Sequence, residues 1–200
     1  FLESFRTNGK QTDFTHVSLG GLLFPGKYNI SDKKDRLKLS RYLGKAIDNN
    51  LTVSIAEMPL EYGPVIVDLD FKYPFDSYKD DFDSEHIYTD DQILTVIENY
   101  RSSIKEYLNV NDNDLQCYMF EKTKGSEKNG EYKDGVHLIF PFICTNSKIR
   151  QLVFNDVQEL AQENNLFEQY SNPDSVLDDA IINCNAWLMY GCSKPNNEPY

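Results

Sequence analysis

The sequence is short of positive charge, has no paired cysteines and lacks any long apolar run. Twenty Lys and Arg against 32 Asp and Glu leave a net charge of −12, the opposite of the basic surface by which passive nucleic-acid binders hold phosphate. An enzyme that grips nucleic acid weakly remains compatible with that balance. No apolar stretch approaches the roughly 20 residues of a membrane-spanning helix, and no basic-then-apolar signal peptide opens the chain. Cys117, Cys144, Cys184 and Cys192 form no Cys-x-x-Cys pair, which speaks against a structural zinc site. All four lie in or beside apolar stretches and read as reduced core residues of an intracellular, reducing compartment. A Walker A sequence, an internal repeat and a low-complexity tract are also absent from the chain.

What is present suits one large domain, residues 1–200, long enough to bury a proper core. Phe1-Leu2-Glu3-Ser4 and Asn196-Asn197-Glu198-Pro199-Tyr200 read as cut points in a longer polypeptide. Phe14 to Leu19 reads as a short strand, followed by a turn-rich segment around Gly20-Gly21. Ser31 is the expected cap of a helix to Asp48, with Leu37, Tyr42, Leu43, Ala46 and Ile47 as its buried stripe. A strand over Leu51 to Ala56 precedes the turn Glu61-Tyr62-Gly63-Pro64. Asp76 to Asp91, with Asp80, Asp81, Asp83, Glu85 and Asp90, reads as a solvated acidic loop. Thr89 or Asp90 then caps a helix to Leu108 striped by Ile93, Leu94, Ile97, Tyr100, Ile104 and Leu108. A strand from Leu115, a hairpin loop over Lys122 to Asp134 and a returning strand from Val136 to Phe142 come next. Asn146 or Ser147 caps a last long helix, to Asn164, with Leu152, Val153, Val157 and Leu160 inside. Strands and helices mix without a βαβ rhythm, so the fold class is α+β around a largely antiparallel or mixed sheet with packed helices.

The stretch that organises the chain is Pro64-Val65-Ile66-Val67-Asp68-Leu69-Asp70-Phe71-Lys72-Tyr73. Strand residues alternate faces, so Val65, Val67, Leu69 and Phe71 share one and Asp68, Asp70 and Lys72 the other. Two aspartates on one face of a core strand repel and lose hydration, a cost that a cation offsets. A hard divalent metal is one such cation; Lys72 and a helix-borne Lys or Arg at a solvated strand end are the alternative. Further on, His137 enters an apolar strand directly after Gly135-Val136, either as a hydrogen-bonded core residue or, beside a metal site, as a donor to phosphate. Val176-Leu177-Asp178 sets a third acid after an apolar pair, and Gly191-Cys192-Ser193-Lys194-Pro195 closes the tail.

In this order, Val-Asp-Leu-Asp, Gly-Val-His-Leu-Ile-Phe-Pro and Leu-Asp resemble the three motifs of the archaeo-eukaryotic primase (AEP) superfamily. The wording around Asp68 to Tyr73 and Trp187 to Pro195 is most similar to one branch, the N-terminal primase domain of poxvirus-type primase-helicases of nucleocytoplasmic large DNA viruses. The resemblance spans about His16 to Pro195. It implies an RRM-like palm and a DNA primase or primase-polymerase that adds NTPs or dNTPs on a single-stranded DNA template. It further implies two Mg²⁺ or Mn²⁺ ions on Asp68, Asp70 and Asp178, with His137, Ser193 and Lys194 on the nucleotide's phosphates. Asp179 is the rival to Asp178, and Lys72, on the carboxylate face, either touches phosphate or forms an internal salt bridge. The same resemblance implies a helicase downstream of Tyr200, a hexameric ring in the full-length protein and action in the host cytoplasm at a viral factory. Three other readings compete: a metal-dependent Asp-x-Asp glycosyltransferase, which leaves His137 and Lys194 unexplained, a non-catalytic replication docking module, and a nuclease on the same acidic metal logic, which the Ser193-Lys194 pair fits less well than triphosphate binding.

Overall fold

The computed structural model describes residues 1–10, 13–18, 23–81, 86–194 and 197–200. Leu19 and Gly20-Gly21, Asp83 and Glu85 of the acidic block, and Pro195 lie outside the described residues. The chain divides into two compact units, one of residues 1–59 and 184–200, the other of residues 60–183.

In the first unit, strands β1 (Arg6–Thr7), β2 (His16–Ser18), β3 (Gly26–Tyr28) and β4 (Ile55–Glu57) are joined late in the chain by β9 (Trp187–Leu188). Among the described residues they form a five-stranded antiparallel sheet in the order β1-β3-β2-β4-β9. The unit's one long described helix, α1 (Lys33–Asp48), is capped by Asp32, whose carboxylate accepts the Lys34 N–H at 2.8 Å, and not by Ser31. Its buried residues are Leu39 and Leu43, joining Tyr28, Ile30 and Ile55 in the core. Leu37, Tyr42 and Ile47 are exposed, against the expected stripe, because the face carrying Leu39, Leu43 and Ala46 is the one that joins the core. Tyr42 packs instead on Phe1, ring centroids 5.2 Å apart. His16 is buried opposite Glu57, its Nε2 3.9 Å from Glu57 Oε1, and Arg36 Nη1 donates to the same oxygen at 3.0 Å. Burial, helped by the Arg36 charge, drives the His16 pKa down to about 4 and keeps the ring neutral.

The second unit is built on two long antiparallel strands, β5 (Tyr62–Pro74) and β8 (Glu131–Asn146). β6 (Tyr118–Glu121) pairs with the far side of β8, and β7 (Ser126–Lys128) with its beginning. Between β7 and β8, Asn129 and Gly130 both have positive φ, 57° and 76°, as a two-residue hairpin turn requires. The expected long loop is therefore a β-hairpin, and β8 starts at Glu131 rather than Val136. The register slips between Gly63 and Val65, where Pro141 on β8 has no N–H to give. Buried Arg150 donates to the Leu60 and Pro64 carbonyls beside that slip.

One face of this sheet is covered by α3 (Asp90–Tyr107) and α4 (Ser147–Glu163), which pack on each other. Thr89 closes a reciprocal capping box with Gln92, and Asn146 caps α4 by accepting the Ile149 N–H. Ile93, Val96, Tyr100 and Ile104 from α3 meet Val153, Val157 and Ala161 from α4 over Val65, Val67, Leu69 and Phe71. Each such side chain contributes on the order of 2 kcal/mol by leaving water. Leu94 and Leu152 are exposed, contrary to the stripes read for them. The acidic block is not all loop, since Phe75–Asp81 forms helix α2 and Asp90 and Asp91 open α3. A short helix, α5 (Ala180–Asn183), ends the unit. None of the four cysteines is in a disulfide, but Cys144 and Cys184 are exposed rather than core residues. Every described strand pairing is antiparallel, so the α+β class holds.

Candidate active site

β5 alternates as its sequence demands. Val65, Val67, Leu69 and Phe71 face the helices and are at most 2% exposed, while Asp68, Asp70 and Lys72 lie on the opposite face. β8 brings His137 directly opposite Asp68, with Nε2 3.5 Å from Asp68 Oδ1. Opposite Asp70 stands Gly135, which has no side chain to fill that face. Lys72 Nζ lies 3.7 Å from Asp70 Oδ2.

The third acid arrives on the other edge of β5. Leu177 forms an antiparallel bridge with Leu69, fixed by Asp70 N–H to Val176 O (2.8 Å) and Asp178 N–H to Asp68 O (3.0 Å). Asp178 is thus held beside Asp68 by main chain, and its Oδ1 accepts the Ala180 N–H at 2.9 Å, just before α5. Asp179 is more exposed, and its carbonyl accepts from Ile182. An open groove of about 460 Å³ follows this edge, lined by Asp70, Lys72, Asp174, Asp178 and Asp179 with Gln158 of α4.

Sequence reasoning missed the residue that pins this edge. Asn172 Nδ2 donates to Asp70 O at 2.8 Å, and Asn172 Oδ1 accepts the Lys72 N–H at 3.1 Å. Its amide replaces a missing strand partner on both sides of Phe71. The available signal was the Asn172-Pro173 pair, a dipeptide that favours turn initiation. Asp134 was missed as well. It is buried on the helix-facing side of β8, where its carboxylate accepts from His86 Nδ1 (3.0 Å) and the Ile87 N–H (3.3 Å). Burial pushes its pKa up, against the opposing pull of His86.

Ser193 and Lys194 belong to the first unit. Ser193 is buried with its N–H donated to Val53 O at 3.0 Å, and Lys194 is exposed. His16, left without a role by the sequence, is the buried neutral ring of that same unit.

An AEP domain is described by the family model titled "C962R protein N-terminal AEP domain", and residues 15–200 match it. The chain belongs to that family. The match runs through both units, and the antiparallel α+β architecture agrees with it. The chain is 37% identical over 179 residues to "Putative helicase L207/L206" of Acanthamoeba polyphaga mimivirus, covering 88% of this chain and 18% of that protein. It is 31% identical over 208 residues to "Putative helicase 184R" of Invertebrate iridescent virus 6, covering 94% of this chain and 21% of that protein. The chain therefore spans about a fifth of the length of these curated relatives.

For an AEP domain the donor chemistry of Asp68, Asp70 and Asp178 is that of a hard divalent cation, three carboxylates with oxygen ligands and no thiolate. As they stand, the three pair with His137, Lys72 and the Ala180 N–H. Among the described residues no three His, Cys, Asp or Glu side chains form a ready metal cluster.

Proposed function

We propose that this AEP domain is a DNA-dependent nucleotidyltransferase, a primase or primase-polymerase that builds primers on single-stranded DNA during viral replication. The observation that carries the reading is the lateral order Asp178, Asp68, His137 on three adjacent chain segments, with Asp70 and the open Gly135 position next to them. Asp68, Asp70 and Asp178 are the residues that would hold two Mg²⁺ or Mn²⁺ ions. When bound, such ions lower the pKa of a primer 3′-hydroxyl and stabilise charge on the departing pyrophosphate. His137 donates from its ring to a nucleotide phosphate, oriented by the Asp68 carboxylate, and Ser193 and Lys194 engage the triphosphate. Lys72 offsets the charge of Asp70 in the unliganded protein.

Residues 1–200 act in this reading as one catalytic domain of a longer primase-helicase working in the host cytoplasm. The relatives' names and length support a linked helicase domain. With a net charge of −12, template retention falls to such linked domains or to a hexameric ring. No described helix is long and apolar enough to cross a membrane.

The deciding experiment is nucleotide incorporation on single-stranded DNA, with and without primer, in Mg²⁺ or Mn²⁺, with Asp68→Ala/Asp70→Ala beside wild type. Products that vanish in the double variant support the reading; products that persist refute the carboxylates' role. The existing pairing of each carboxylate favours one second reading, a docking module. Wild type that binds DNA or nucleotide yet adds none under either metal supports that instead.

A further inference from the structure

We infer that Tyr118 and Phe120 of β6 form the platform on which the base of the incoming nucleoside triphosphate stacks. The inference rests on the nucleotidyl-transfer reading of Asp68 and His137. In an antiparallel ladder, directly paired residues point to the same face. Phe120 pairs with His137, and His137 pairs with Asp68. The row across the sheet is therefore Asp178, Asp68, His137, Phe120: acid at one end, imidazole in the middle, aromatic ring at the other. Tyr118, paired with Ile139, lies two residues along β6 on the same face and is 49% exposed.

Strands are about 4.8 Å apart, which puts β6 about 10 Å from β5. A nucleoside triphosphate has the same order and a comparable reach, with metal-bound phosphates at one end and a flat base at the other. With phosphates at Asp68 and His137, its base falls over β6. Aromatic rings accept any base, as template-directed addition requires of the site that holds each incoming nucleotide in turn. The contact is also uncharged, so a strongly acidic chain gains affinity there without adding cations.

The test is calorimetric titration of the full chain in Mg²⁺ with ATP, with dATP and with inorganic tripolyphosphate, in wild type and in Tyr118→Ala, Phe120→Leu and Asp68→Asn. Loss of stacking weakens ATP and dATP binding by about tenfold in Tyr118→Ala and Phe120→Leu, with tripolyphosphate binding changed less than about twofold. Retained tripolyphosphate binding also shows that both variants are folded. Unchanged nucleotide affinity in both variants, or a parallel loss for tripolyphosphate, overturns the platform. Asp68→Asn separates the two layers of the argument. If it binds both ligands as wild type does, the parent reading falls and the platform with it; if it loses both while Tyr118→Ala and Phe120→Leu lose neither, only the platform falls.

Discussion

The backbone N–H of Asp178 donates to the backbone carbonyl of Asp68 at 3.0 Å. Two acids far apart in sequence are thus made neighbours by main chain, so their carboxylates can be altered without removing what aligns them.

That separation has a measurable form at Asp178. Asp178→Asn keeps an amide oxygen to accept the Ala180 N–H, whereas Asp178→Ala removes that bond at a cost of about 1 kcal/mol. Nucleotide addition is expected to fall to background in both. Thermal denaturation is expected to show a lowered Tm only in the alanine variant. Activity surviving in Asp178→Asn would move the third ligand to Asp179.

Asn172 should behave as a positioning residue. Asn172→Ala deletes both bonds to β5, each worth on the order of 1 kcal/mol. Half-saturating Mg²⁺ is expected to rise several-fold, because the 172–178 segment carrying Asp178 is held less firmly, while activity at saturating metal largely recovers. Loss of activity that excess metal leaves unchanged would count against this role.

The buried His16 gives a pH signature. Its folded pKa, about 4, lies below the ordinary 6.5, so the unfolded chain takes up the proton first. The stability this ring contributes is complete above pH 6.5 and is lost as pH falls toward 4. At about 1.4 kcal/mol per tenfold, the full loss is on the order of 3 kcal/mol. Glu57 beside it is pushed up by burial, which acts with the opposite sign, so the comparison is with His16→Gln rather than with the whole curve. Urea unfolding between pH 7 and 4 is expected to show a shallower decline in the variant; parallel curves would refute the neutral buried ring.

In the proposed reading Lys194 meets the ground-state triphosphate, so Lys194→Ala is expected to raise the nucleotide KM several-fold with kcat little changed. Steady-state incorporation kinetics decide it, and a fall in kcat at constant KM would reassign Lys194.

The strand carrying Asp68 and Asp70 was legible because period-two alternation leaves no freedom about which face holds the acids. Helix existence and the Thr89 and Asn146 caps were legible for the same local reason. The exposed faces of Leu37, Leu94 and Leu152 were not, because each helix buries a narrower stripe than its apolar residues suggest, and only the partner surface selects it. Asp32 displaced Ser31 as cap by a one-residue shift that both sequences of bonding would satisfy. Asn172 and Asp134 act through partners 102 and 48 positions away, and a single sequence carries no record of such pairings.

The long pairing of β5 with β8 and the single bridge at Leu177 differ in how they come apart. The β5–β8 ladder continues on either side of the Asp68 and His137 pair, so the amides bonded within that ladder exchange with solvent only when the whole unit opens. The bonds at Asp70 and Asp178 break with a local excursion of one short segment, and their amides exchange sooner. The acid set therefore consists of a permanent part and a detachable one, and in the proposed reading the detachable carboxylate governs how readily the site assembles.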